Sequence, residues 1–260
     1  MNIATNQIKN NTAATSEEKE IAAAEQHSLL RTILLHLVPG AIIYLIFVLT
    51  APLFEHWGYP GLMGLLLGAT LVLFPTLAEL YRLGKKRNGK LSLQGIMLYR
   101  QPMPWWQYAG FTLLALLYAL VVTIVIFNPF IQPAITNWFS WWPAYEARTV
   151  LGHYASGHLL ITEIFYVILN TLYPIIEEIY FRGYLMPRIS RFGKWTPWIS
   201  ITLFSLYHLW QPWNNLLNVA SLWPLSFLSW KKRNVYLAIS IHCTLNIIGM
   251  LPLLITLVMK

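Results

Sequence analysis

From residue 32 onward, long apolar runs alternate with short basic or aromatic clusters, and the run lengths set the elements they predict. A helix needs about 20 apolar residues to cross a bilayer. Stretches near that length occur at Thr32–Phe54, Gly61–Ala78, Tyr108–Phe127, Gly157–Ile176 and Val235–Met259. Two further stretches, Thr196–Leu209 and Leu216–Trp230, are short and carry polar residues, so they need protein neighbours. The pattern predicts an all-α fold, a polytopic transmembrane helical bundle of about 7–8 membrane helices. Residues 1–31 read instead as a polar tail, with a charged cluster at Glu17, Glu18, Lys19 and Glu20 and no signal-peptide pattern. The organisation expected is this tail followed by one transmembrane domain, 32–260, whose motif-bearing core spans about 157–260.

Composition agrees with the pattern. The chain is 57% hydrophobic and 11% charged, where soluble domains carry roughly 25% charged residues. A net charge of +8 invites a nucleic-acid reading, but the positions of the charges exclude it. Arg82, Lys85, Lys86, Arg87, Lys90 and Arg100 lie between the second and third spans. Arg182, Arg188, Arg191 and Lys194 follow the fourth, and Lys231, Lys232 and Arg233 follow the sixth. Intervening connections are poor in positive charge, with Glu55 in one and Glu146 and Arg148 in another. Basic residues on every second connection follow the positive-inside rule. The expected partners are therefore the lipid bilayer and a membrane-associated peptide or protein, with no nucleic acid. The N-terminus and basic loops are expected in the cytoplasm, the membrane being the plasma membrane in a bacterial host. Tryptophans at 105, 106, 138, 141, 142, 195, 210, 213 and 230 mark span ends, where aromatic belts form.

Chemistry enters where charge interrupts an apolar run. Ionisable residues inside a membrane are costly and functional by default, and Tyr173-Pro174-Ile175-Ile176-Glu177-Glu178-Ile179-Tyr180-Phe181-Arg182 holds three. Glu178 and Arg182 stand four apart with the acid first, the favourable helical ion-pair order. Glu177 is rotated about 100° away on a helix and is less able to share the arginine. Phe204 and His208 stand four apart in one helical stretch, as do His242 and Asn246 in another. Counted from the basic ends at 1.5 Å per residue, Glu177, His208 and His242 lie ~15, ~18 and ~12 Å deep, in one layer. There is no aspartate in the chain, so aspartyl proteolysis and Asp-oriented triads are excluded. The single cysteine, Cys243, excludes an internal disulfide and multi-cysteine metal sites.

Glu-Glu-x-x-x-Arg, then Phe-x-x-x-His, then His-x-x-x-Asn, in successive helices, resembles the CPBP family of intramembrane proteases. That family includes type 2 CAAX prenyl endopeptidases and bacteriocin-processing or bacteriocin-immunity proteins, and its members are often labelled metalloproteases. The resemblance covers roughly Tyr166–Gly249. It implies an intramembrane endopeptidase in which Glu177 activates water, His208 helps to hold it, and His242 and Asn246 stabilise the oxyanion. Glu178, Arg182 and Phe204 would be structural support. A non-catalytic immunity or scaffold protein is the alternative. Glu177, His208 and His242 would also make a catalytic zinc shell. An amide is a poor zinc ligand, so Asn246 favours a metal-free scheme and no cofactor is expected, with zinc as the alternative. Glu163 lies about 21 Å along the helix from Glu177, too far for direct chemistry. His36, Asn170, Asn218 and Ser221 read as contacts between helices, and Cys243 as a small packed side chain.

Overall fold

The structure is a computed structural model, and it describes residues 19–21, 23–142 and 154–258. Most of the polar tail, including Glu17 and Glu18, and the pair Glu146 and Arg148 lie outside the described residues. No strand occurs among the described residues. Helix α1, Leu29–His56, starts at Ser28, whose side chain accepts a hydrogen bond from the Arg31 N–H at 3.2 Å. It packs against α2, Leu62–Asn88, through a small-residue seam. Gly64 and Gly68 stand one turn apart, and a methyl group added at either would sit 2.8 Å from the α1 backbone, at Ala51 and Ile43 respectively. Absent side chains let membrane helices approach this closely.

Helix α3, Trp105–Val121, widens into a π-helix over Val122–Ile131 and continues as α4, Gln132–Trp138. Helix α5, Ser156–Glu178, also widens, into a π-helical turn at Ile179–Leu185 followed by a 3-10 stretch, Met186–Trp195. The chain reverses at Gly193, whose φ of 55° suits glycine, and enters α6, Thr196–Tyr207. Helices α7, Asn215–Ser221, α8, Trp223–Lys232, and α9, Val235–Val258, complete the bundle. Among the described residues, four runs are long and apolar enough to cross a membrane: Leu29–His56, Leu62–Asn88, Trp105–Ile131 and Ser156–Tyr207, the last of which includes the reversal at Gly193. Val235–Leu251 is a shorter apolar helix.

The stretch Leu216–Trp230, expected as one span, is two helices. The chain restarts at Trp223-Pro224, and a proline at the second helical position suits a helix start because its missing N–H is not needed there. Helix α6 likewise stops at Tyr207, two residues before the expected end, so His208 leaves the helix with φ −78° and ψ 55°. The basic connection between α2 and α3 hides a buried apolar run, Ile96–Tyr99. Its Leu98 N–H donates to the Gly183 carbonyl at 2.9 Å, and the Arg188 side chain donates to the Ile96 carbonyl at 3.1 Å. That segment supports the π-helical turn from below. The main core joins α1, α2, α6 and the second half of α5, and a smaller one joins α3, α8 and α9.

Candidate active site

The C-terminal end of α5 and the π-helical turn after it carry the charges, and each has a distinct setting. Arg182 donates to Glu178 Oε1 at 3.1 Å, and both side chains are fully buried. The guanidinium lies 4.1 Å over the Phe204 ring, so the motif phenylalanine serves as the apolar and cation-binding face beneath the pair. The same Oε1 of Glu178 is 2.7 Å from His242 Nδ1. A carboxylate accepts there, so Nδ1 carries the proton, and the ring can donate from Nε2 as well only as the imidazolium. That Nε2 points to the other glutamate, 4.0 Å from Glu177 Oε2. The adjacent acids therefore divide as their rotation on the helix predicts: Glu178 is held by Arg182 and His242, and Glu177 faces the cavity.

His208 is positioned by the end of α6. Its backbone N–H turns back to the Ser205 carbonyl at 3.1 Å instead of continuing the α-helical ladder. The Phe204 carbonyl thereby loses its α-helical donor, and His208 Nδ1 lies 2.9 Å from it. A carbonyl only accepts, so Nδ1 carries a proton, and in the neutral ring Nε2 is the acceptor. Phe204, Tyr207 and Trp210 rings edge the imidazole at 4.8 to 4.9 Å. Asn246 Nδ2 is 3.2 Å from the Asn170 carbonyl and 3.4 Å from its side-chain oxygen.

These groups converge on one cavity of about 280 Å³, whose lining includes Glu177, His208, His242 and Asn246. Leu65, Leu66, Ala69 and Leu73 of α2 give it an apolar wall, while Asn170, Gln211 and Asn218 add amides. Two features outside the motifs belong to the site. The buried Tyr207 hydroxyl lies beside the Glu177 carboxylate without a hydrogen bond of good geometry. Asn170, expected only as a helix contact, bonds a motif residue. Glu163, His36 and Cys243 do not line the cavity. Cys243 instead contacts the Thr171 carbonyl, at 3.9 Å.

Among the described residues, no three His, Cys, Asp or Glu side chains are grouped so as to hold a metal ion. With both Nδ1 atoms directed to protein oxygens, Nε2 is the nitrogen that His208 and His242 each leave for a ligand or a water.

Residues 158–248 match the family model described as Type II CAAX prenyl endopeptidase Rce1-like. The match runs from the start of α5 to the middle of α9 and takes in all three motifs, bearing out the resemblance to the CPBP family. At the family level, the match supports a membrane endopeptidase domain over these residues. Neither the curated proteins nor the solved structures compared with the chain give a match.

Proposed function

We propose that this protein is an intramembrane endopeptidase that hydrolyses a peptide bond near the cytoplasmic side of the membrane without a metal. The observation that carries this reading is the convergence of one carboxylate, two imidazoles and one amide on a single cavity with an apolar wall. In the proposed reaction, Glu177 removes a proton from a water that also donates to His208 Nε2. The resulting hydroxide attacks the scissile carbonyl. His242, charged and held through Nδ1 by Glu178, and Asn246 donate to the oxyanion as the tetrahedral intermediate forms. Glu177 then returns its proton to the departing amine, and the carbonyl re-forms as the C–N bond breaks. Fixed donors aimed at developing charge are usually the largest catalytic contribution, each worth about 10²–10³ in rate.

The family description makes a prenylated CAAX-type C-terminal peptide the first substrate to offer. Purified protein in detergent or vesicles should cleave it with and without chelator. Glu177→Gln keeps the side-chain shape but cannot accept the proton, so turnover should fall about 10²–10⁴-fold with folded protein retained. Near-normal turnover in that variant would overturn the role of Glu177. Loss of turnover on chelation, restored by zinc, would overturn the metal-free scheme. Full biological activity in Glu177→Gln, with no hydrolysis of any peptide by the parent chain, would establish the scaffold alternative instead.

A further inference from the structure

Pro174 lies buried inside α5, one turn before Glu177. Proline has no N–H, so the carbonyl four residues earlier loses its α-helical donor. That carbonyl belongs to Asn170, and an unpaired carbonyl in a membrane helix is costly. Asn246 Nδ2 meets it from α9 at 3.2 Å. A backbone carbonyl cannot donate, so this contact also fixes which end of the Asn246 amide points at α5. The amide nitrogen has two hydrogens. One is anchored on the carbonyl, and the second has only the longer 3.4 Å approach to Asn170 Oδ1 to give up.

We infer that Pro174 and Asn170 form a positioning device for Asn246: the proline vacates a helix carbonyl, and that carbonyl aims the Asn246 amide into the cavity. The inference rests on the reading of Asn246 as an oxyanion donor. The two residues act through Asn246 and need not touch substrate. Seven residues separate Asn170 from Glu177, so both share one face of α5 and the device sets the amide at a fixed offset from the base. The main anchor is backbone, so it survives replacement of the Asn170 side chain but not restoration of an N–H at position 174.

The test measures kcat, KM and thermal midpoint for Asn246→Ala, Pro174→Ala, Asn170→Ala and the Pro174→Ala/Asn246→Ala pair. Pro174→Ala returns a donor to the Asn170 carbonyl and should lower kcat about tenfold with KM little changed, while the midpoint holds or rises. In the Asn246→Ala background, the same change should have no further effect on kcat, the signature of two residues acting as one unit. Asn170→Ala should cost kcat no more than about threefold, since the carbonyl remains. Should Pro174→Ala fail to fold, Pro174→Val restores the same N–H while refilling the ring's space, and its kcat is read in the same way. Wild-type kcat in Pro174→Ala, with a large loss in Asn246→Ala, overturns the inference alone. An equal loss from Pro174→Ala in both backgrounds also overturns it, because the proline would then act through Glu177 or general packing. Unchanged kcat in Asn246→Ala removes the oxyanion reading, and the inference falls with it.

Discussion

The two halves of α5 and its continuation are built for different surroundings, although they form one uninterrupted helical run. In the first half, Leu160, Ile164, Phe165 and Ile168 are each about half exposed. In the second, Glu178, Phe181, Arg182, Leu185, Met186 and Ile189 are fully or almost fully buried. An apolar side chain facing lipid needs no partner, because lipid tails are as apolar as the residue itself. A charged side chain needs partners as well as cover, since burial without pairing leaves it neither hydrated nor compensated. The second half meets that demand from four directions: Arg182 on its own helix, His242 from α9, the Phe204 ring from α6, and the Ile96–Tyr99 segment closing the π-helical turn. Burying the Glu178–Arg182 pair thus draws on several elements at once, whereas the exposed apolar side chains on the first half of the same helix need none.

The strongest way to break this contrast is to remove one charge from the buried half. Arg182→Leu leaves Glu178 with the His242 ring as its remaining hydrogen-bond partner in a buried site. Breaking a buried pair on one side costs about 3–5 kcal/mol. Thermal denaturation in detergent should show a large drop in midpoint, with loss of turnover. Ile164→Ala in the first half should stay within about 0.5 kcal/mol, as surface substitutions do. Similar losses at both positions would mean that the two halves are not differently built.

Much of this was legible because the governing rules are local. The Glu178–Arg182 pair follows from i, i+4 spacing, and its arginine does bond the second glutamate rather than the first. The gathering of Glu177, His208, His242 and Asn246 was legible from their common depth. What escaped depended on contacts between segments distant in sequence. The Glu178–His242 bond links α5 with α9 and cannot be read from either alone. The end of α6 at Tyr207 lies against Gly40 of α1, and His208 reaches the cavity from a turn rather than a helix face. Ile96–Tyr99 was obscured by the basic residues around it, which marked the connection as a surface loop. The vacated Asn170 carbonyl could have been found from sequence, since Pro174 stands four residues later.

A smaller perturbation sharpens the comparison from the neighbouring helix. Gly40 of α1 faces the Tyr207 backbone, and an added Cβ would meet the Tyr207 carbonyl oxygen and lie 2.8 Å from its ring. The carbonyl cannot yield without moving the turn that carries His208. Overpacking of this kind costs about 1–3 kcal/mol. Gly40→Ala should lower both stability and turnover, even though it adds only a methyl group remote from the motifs in sequence. Gly110 on α3 provides the lipid-facing control: a Cβ there meets nothing within 4 Å. Gly110→Ala should be neutral or stabilise the helix slightly, by up to about 1 kcal/mol. A loss at Gly110 equal to that at Gly40 would remove close approach to Tyr207 as the cause.

The smallest expected effect concerns how the buried half is tied to the chain ahead of α1. His27 precedes the membrane helix, and its backbone N–H donates to the Arg188 carbonyl at 2.8 Å. Its ring is buried edge-on against Tyr184, with Arg31 and Arg188 nearby and Glu25 as the acidic neighbour. Burial, reinforced by the two arginines and only partly opposed by Glu25, lowers its pKa from 6.5 to about 4. Between those values the unfolded ring binds a proton that the folded ring refuses, so protonation favours unfolding. The contribution is fully present above about pH 6.5 and declines as pH falls through the interval, reaching its limit below about pH 4. Carboxylates titrate in the same range, so the measurement is a difference: thermal midpoints of the parent chain and His27→Gln from pH 4 to 8. The parent should lose more stability than the variant between pH 6.5 and 4, while their separation stays constant above that interval. Parallel curves throughout would show that His27 is not held neutral against Arg188, and that this join does not sense pH.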